Sequence, residues 1–138
     1  MNNLINQRPS EAGSAGGKFL AFLLGLALIL HGGFQYIRAA YQAESLRTDM
    51  EAAVLQGLAT PGKIDPVDVV KTKVQKAVLQ YEIPPGSVVD VKMQNGLVIA
   101  RVAYIKQVPI LPFGIYNYNY KFDETITPGG KILGDNKK

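Results

Sequence analysis

A single histidine is the side chain of this sequence with the clearest potential for chemistry. His31 stands at the end of an apolar run, Phe19–Leu30, that contains no polar residue. An ionisable group in such a run is costly and is therefore a candidate functional residue. Its imidazole could ligate the metal of a cofactor such as haem. It could instead hydrogen-bond a neighbouring helix, a backbone carbonyl or interfacial water, or have no special role.

The sequence contains none of the residue sets that commonly carry out catalysis. The chain has no cysteine, which excludes disulfides, thiolate metal sites and cysteine nucleophiles. Because the one histidine lies in the segment that is apolar enough to cross a membrane, no Ser-His-Asp set can form in the soluble part. No GxxxxGK[ST] or GxGxxG loop is present. Asp123 and Glu124 are adjacent, so in a strand they point to opposite faces and cannot act as a pair. We therefore expect a protein that is not an enzyme.

The apolar run that precedes His31 belongs to a segment long enough to cross a membrane. Residues 19–37 provide the roughly 20 mainly apolar residues that a transmembrane helix needs. A signal-peptide cleavage site would place His31 or Tyr41 at a position that requires a small residue, which favours an uncleaved signal anchor. Lys and Arg are balanced on the two sides of the span. The short N-terminal side and larger C-terminal part favour a cytoplasmic N-terminus and a periplasmic domain at a bacterial inner membrane.

Small residues recur along one face of the predicted span. Ala21 and Gly25 form a small-xxx-small pair, and Gly32 follows on the same face. Small side chains let two helix backbones approach closely. We therefore predict helix packing in the membrane through these three residues.

The rest of the chain predicts an α+β domain connected to the span by a stalk. Leu46, Met50, Val54 and Leu58 recur at helical spacing, so the membrane helix is expected to continue as an amphipathic stalk until "ATPGK" ends it. The predicted order is a flexible N-terminal tail (1–18), a transmembrane helix (19–37), an amphipathic stalk helix (38–58), a small α+β domain (64–126) and a C-terminal tail (127–138).

The domain begins with a second helix whose start is marked by three residues. Asp65 is suited to the N-cap, Pro66 to the first helical position and Asp68 to the positive end of the helix. The segment "IPPG" ends the helix. Its apolar face comprises Val67, Val70, Val74, Val78 and Tyr81.

A β-hairpin follows, and its register can be derived pair by pair. Asn95-Gly96 is the preferred two-residue type I′ turn. Centring the hairpin on that turn aligns one apolar face and places Asp90 opposite Arg101. A slip of one residue would destroy both patterns. The predicted pairs are Gln94–Leu97, Met93–Val98, Val91–Ala100, Asp90–Arg101 and Val89–Val102.

The third strand, "IYNYNYKFDE", alternates aromatic and polar residues with period two. We expect its aromatic face, Tyr116 to Phe122, to fill the core against the valine-lined second helix. The opposite face and the free strand edge are then the predicted partner contact, through Asn117, Asn119 and Lys121. The loop before this strand contributes Ile110, Leu111 and Phe113, which either form an exposed contact patch or fold beneath the domain's own helix.

This layout resembles type IV pilins and pseudopilins in outline. In "GGKFLAFLLGL" a glycine precedes the apolar run, but Phe22 occupies the fifth position after Gly17, where that family has the glutamate used in assembly. The stretch from "DVVKTKVQKAV" to "VVDVKMQNGLVIARVAYIKQVPILPFGIYNYNYKFD" resembles a family of small single-span bacterial inner-membrane proteins without an assigned activity. That resemblance implies a membrane helix and stalk, then a helix and three antiparallel strands.

A third resemblance concerns the histidine. "ALILH" resembles the Ala-x-x-x-His spacing with which bacterial light-harvesting polypeptides ligate bacteriochlorophyll, and it implies such a role for His31. Those chains are much shorter and usually contain tryptophan, which this chain lacks.

Three functional hypotheses follow. The first is a non-catalytic accessory subunit of a larger membrane complex, which contacts other subunits through its membrane helix and its soluble domain. The second is a pilin-like filament unit, and the third is a pigment- or haem-binding polypeptide that uses His31. The lipid bilayer is an expected partner, and the small domain favours self-association. The net charge of +4 is spread along the chain, so nucleic acid is not expected.

Overall fold

The computed structural model describes residues 12–59 and 62–132. The predicted α+β fold is confirmed: two helices pack on an antiparallel sheet whose strands neighbour one another in chain order. The elements are α1 (Ala12–Leu58), α2 (Pro66–Gln80), β1 (Val88–Gln94), β2 (Leu97–Pro109), a short 3₁₀ turn (Pro112–Gly114), β3 (Asn117–Thr127) and β4 (Gly130–Ile132).

The first helix is continuous from the apolar run into the domain. It has 47 residues, which corresponds to a length of about 70 Å. It begins at Ala12, so residues 12–18 of the predicted flexible tail are helical; no proline interrupts them, and extending an existing helix costs little. Residues 1–11 of that predicted tail lie outside the described residues.

The two halves of α1 have different surroundings. From Ala15 to His31 every residue is exposed or half-exposed, whereas Leu46, Met50 and Val54 are each 0% exposed. The predicted amphipathic stalk is thus the central core helix of the domain instead of a spacer below it. A sheet with one apolar face requires a second layer, and α2 alone is too short to cover the whole face.

The second helix forms as predicted and packs against α1. Asp65 caps it by accepting a hydrogen bond from the Val67 amide at 2.9 Å, and Pro66 is its first residue. The Tyr81 hydroxyl at its C-terminal end donates to Asp49 Oδ2 on α1 at 2.7 Å. This hydrogen bond raises the pKa of Tyr81, and burial of the hydroxyl and the negative charge of Asp49 add to the effect.

The predicted hairpin register is confirmed at every pair, from Gln94–Leu97 to Val89–Val102. Asn95 and Gly96 both have positive φ, at 53° and 77°, as a type I′ turn requires. Asp90 does lie opposite Arg101, but the guanidinium of Arg101 forms its ion pair with Asp123 on β3.

The third strand presents its aromatic face to the core side of the sheet. Phe122 lies opposite Tyr104, and the two rings stack with centroids 5.0 Å apart. The helix that meets the tyrosines further along is α1, through Tyr36, and not the valine-lined α2 as expected. The expectation failed because it did not place the stalk helix inside the core.

The predicted C-terminal tail is wrong in its first part. Residues Gly130–Ile132 form β4, which pairs with residues 125–127 of β3. The connecting Pro128-Gly129 is a turn signal. Residues 133–138 lie outside the described residues.

Candidate functional site

The chemistry predicted for His31 stays a prediction. The imidazole belongs to an exposed residue of α1, at the boundary between the free half of the helix and the half that packs on the domain. Among the described residues, no group of three or more His, Cys, Asp or Glu side chains could hold a metal ion. What the structure does bring together is a contact surface, directly beyond His31.

This contact surface lies where α1 meets the β2–β3 loop. Gly32 is buried there, and a β-carbon at Gly32 would lie 2.9 Å from both Cγ2 and the carbonyl oxygen of Ile110. Only glycine admits the loop this closely to the helix. We call the region the neck and define it as Gly32, Tyr36, the loop 110–116 and Tyr118.

Tyrosine rings form one side of the neck. Tyr36 contacts Tyr118 and Tyr120 edge to face, with ring centroids 6.0 Å apart in both pairs. Tyr36, Tyr116 and Tyr118 are exposed, whereas Tyr120 is half-buried and its pKa is raised by burial. The predicted aromatic core is therefore confirmed for Phe122 and in part for Tyr120, which packs against the core half-buried. It is wrong for Tyr116 and Tyr118, which are exposed at the neck, where the ring of Tyr118 meets Tyr36 of α1 instead of a closed core.

The loop itself has an unusual backbone. Phe113 has a φ of 61° and Gly114 a φ of 71°. A left-handed conformation is uncommon for a bulky residue and typically costs about 1–3 kcal/mol. It directs Phe113 away from the domain, where the residue is 98% exposed, while Ile110 and Leu111 are half-buried. Phe113 is thus exposed, as the first alternative requires, and its contact with a partner stays a prediction, whereas Ile110 lies against Gly32 of α1.

A polar groove lies on the domain side of the neck. Within it the Lys106 ammonium donates to Gln42 Oε1 at 2.6 Å, which joins β2 to α1. Arg38 is exposed at its margin. The groove is lined by Gln35, Arg38, Ala39, Gln42, Glu82 and residues 106–109.

The outer face of β3 carries the other predicted contact residues. Asn117, Asn119 and Lys121 are all exposed. Since β4 pairs with residues 125–127, residues 117–124 form an edge of the sheet in the described part of the chain. Their position at an exposed edge agrees with the prediction, and partner binding through them stays a prediction.

An ion pair crosses the same outer face. Arg101 Nε donates to Asp123 Oδ1 at 2.9 Å, and Nη2 donates to Oδ2 at 2.8 Å. This two-pronged geometry suits guanidinium and carboxylate, and it holds the pKa of Asp123 below its usual range. The register explains the choice of partner, because Asp123 lies diagonally across from Arg101 on β3.

The three residues predicted to pack against a partner helix have different surroundings in the structure. Gly32 contacts Ile110 of its own chain, so this position is already occupied. Ala21 is exposed and Gly25 half-exposed, and a β-carbon at Gly25 would meet nothing within 4 Å in the described structure. Helix packing through Ala21 and Gly25 stays a prediction.

Sequence reasoning did not identify Tyr36 as part of the site. The available signal was the position of Tyr36 and Tyr116 beside apolar segments, since tyrosine is enriched where a membrane helix meets water. The Gly32–Ile110 contact has no comparable signal, because it depends on where the loop folds back. Comparison of the chain with protein-family models, with curated proteins and with solved structures found no match.

Proposed function

We propose that this chain is a non-catalytic, single-pass membrane protein that serves as a structural or accessory subunit of a larger membrane complex. The proposed location is a bacterial inner membrane, with the N-terminus in the cytoplasm and the domain in the periplasm. The observation that carries the proposal is the continuity of α1, whose exposed half and fully buried half belong to one helix.

The continuity of α1 matters because no break in the helix separates its exposed half from the half that is buried in the domain. α1 is the one described helix that is long and apolar enough to cross a membrane. Its last turns are fixed in the core by Leu46, Met50 and Val54, so the domain has a set position relative to the span. A catalytic domain on a tether does not need this rigidity, whereas a subunit that holds partners in register does.

Two free surfaces support assembly with other chains. Ala21 and Gly25 leave a shallow strip on the exposed half of α1 that would admit a second helix closely. The edge of β3 offers backbone groups and the polar side chains of Asn117, Asn119 and Lys121 to an added strand.

Native purification in a mild detergent tests the proposal. The chain should migrate with larger subunits, and Ala21→Leu combined with Gly25→Leu should release it. Ala27→Leu is the control for Ala21→Leu, because it makes the same substitution at an exposed alanine on another face of the helix and should leave the complex intact. A wild-type chain that migrates alone as a monomer would contradict the proposal.

A filament unit is the second candidate. It is favoured by the arrangement of one long helix whose C-terminal half packs on a four-stranded antiparallel sheet while its N-terminal half is free. Phe22 in place of glutamate speaks against assembly by the pilin route. Shearing of cells followed by sedimentation decides, because filaments containing the chain would support this candidate and confinement to the membrane fraction would end it.

A further inference from the structure

The helical residues of the neck, Gly32 and Tyr36, lie within the segment predicted to cross the membrane. Gly32 is five positions before Ile37, the last residue of the predicted span, which corresponds to about 8 Å along the helix axis. The loop that contacts Gly32 through Ile110 must therefore reach the same depth. This position requires that the loop tolerate an apolar environment.

Large apolar side chains are exposed near Gly32 on both the helix and the loop. On the helix, Phe34 and Ile37 are each 66% exposed and lie away from the loop contact. On the loop, Phe113 is 98% and Ile115 72% exposed. Large exposed apolar side chains on two separate elements at one level indicate that water is not the surrounding medium.

The loop is also built for a medium without water. Residues 108–116, "VPILPFGIY", contain no charged side chain, and Pro109 and Pro112 have no amide hydrogen to satisfy. The amides of Ile110 and Leu111 both donate to the Tyr116 carbonyl oxygen, at 3.1 and 3.2 Å, and the Ile115 amide donates to Pro112. Irregular backbone at membrane depth requires such internal bonding.

Charged side chains begin close to the neck on two elements. Arg38 follows Ile37 directly on α1, and Lys106 precedes Ile110 by four residues on β2, where it bonds Gln42. The exposed tyrosines Tyr36, Tyr116 and Tyr118 lie beside these apolar residues in sequence, and the rings of Tyr36 and Tyr118 are in contact. Apolar, aromatic and cationic side chains that follow one another in this order are typical of the surface of a bilayer. A protein partner would not require this order.

We propose that the β2–β3 loop inserts Phe113 and Ile115 into the outer edge of the bilayer that α1 crosses, as a second membrane anchor beside the helix. The left-handed backbone at Phe113 holds the ring outward for this contact. Two anchors on rigidly joined elements fix the tilt of the domain on the membrane. The proposal rests on the proposed function only in requiring that α1 span the bilayer.

Tryptophan fluorescence tests this directly, because the natural chain contains no tryptophan. Three single variants of the full chain are reconstituted in phosphatidylcholine vesicles. Phe113→Trp probes the loop, Phe22→Trp probes the exposed half of α1, and Leu97→Trp reports an exposed apolar position about 40 Å along β2 from the neck. Each is measured with unlabelled lipids and with lipids brominated at shallow or deep acyl positions.

Insertion predicts a response for each probe. Phe113→Trp should emit at shorter wavelength than Leu97→Trp and lose most of its emission to shallow bromines. Phe22→Trp lies about 5 Å inside the opposite end of the predicted span and should also be quenched by shallow bromines, whereas Leu97→Trp should be quenched by neither lipid. Ile115→Trp serves as a second loop probe if Phe113→Trp does not fold.

The outcomes separate the two proposals. If the loop probes behave like Leu97→Trp while Phe22→Trp is quenched, the loop proposal is overturned and the span stands. If Phe22→Trp is also unquenched, the membrane span fails, and the loop proposal fails with it.

Discussion

Gly57 of α1 lies so close to Val70 of α2 that a β-carbon at Gly57 would be 2.5 Å from Val70 Cγ2. Val70 is fully buried and β-branched, so its side chain has no room to move and one strongly preferred rotamer. The glycine thus sets the distance between the two helices that cover the sheet.

Gly57→Ala should therefore lower the free energy of unfolding by about 1–3 kcal/mol, because the added methyl overpacks the helix–helix contact. Thermal or denaturant unfolding of the full chain in detergent measures the change. Gly33→Ala is the matched control in the same helix, where a β-carbon would meet nothing within 4 Å. The control should be neutral or gain up to about 1 kcal/mol from the higher helix propensity of alanine. Equal effects of the two substitutions would contradict this account.

The ion pair between Arg101 and Asp123 should make the folding stability depend on pH in the acid range. Its hydrogen bonds lower the pKa of Asp123 from the ordinary value of 3.8. A lowered folded-state pKa means that the stabilisation is present above the unfolded-state value and is lost as the pH falls through the folded-state pKa. Asp123→Asn should thus reduce stability modestly near neutral pH and flatten its decline below about pH 4. Unfolding midpoints measured across the acid range check the expected slope.

Asp90→Asn is the control for that ion pair, because Asp90 lies opposite Arg101 but does not form the two-pronged ion pair that Asp123 forms. It should change the acid profile less than Asp123→Asn does. A larger effect at Asp90 would mean that Arg101 pairs across the hairpin in solution.

Tyr104 should account for part of the loss of folding stability at alkaline pH. Burial, with a further contribution from Tyr120, raises the pKa of Tyr104 from 10.0 to about 12. A raised folded-state pKa gives stabilisation that is complete below pH 10 and is lost as the pH rises toward about 12. Tyr104→Phe should remove this portion of the alkaline loss and keep the stacking on Phe122. Stability followed against pH, alongside the ultraviolet absorbance of tyrosinate, measures it.

The comparison for Tyr104 is Tyr116→Phe, whose ring is largely exposed at the neck. That variant should leave the alkaline loss of stability in place. If both variants lose it equally, the burial of Tyr104 is not its cause.

The hydrogen bond from Tyr81 to Asp49 should stabilise the contact between the end of α2 and α1. Tyr81→Phe removes the donor and should cost about 1 kcal/mol of unfolding free energy. In a double-mutant cycle with Asp49→Ala, the second substitution should then have little further effect. Additive losses would show that the two side chains act separately.

Local chemistry makes several elements of this fold predictable from the amino-acid sequence. The turn at Asn95-Gly96 accepts the positive φ angles that a type I′ turn demands, and alternation on both sides leaves one register. The start of α2 is likewise determined by the capping carboxylate of Asp65 and the fixed φ of Pro66. Such features involve residues close together in sequence, so their pattern is sufficient evidence.

Contacts between segments that are distant in sequence, including those of the neck, were decided only by tertiary structure. Whether α1 is a stalk or a core helix depends on which apolar faces meet, and its sequence pattern is the same in both cases. Arg101 had opposite charges available at Asp90 and Asp123, and the diagonal offset between β2 and β3 selected the second. Gly32 suits a partner helix or a loop equally well by size, and the fold-back of Ile110 decided between them. The sequence by itself therefore determined the long apolar helix, the second helix and the hairpin through local spacing, whereas the contacts between distant segments required the packed chain.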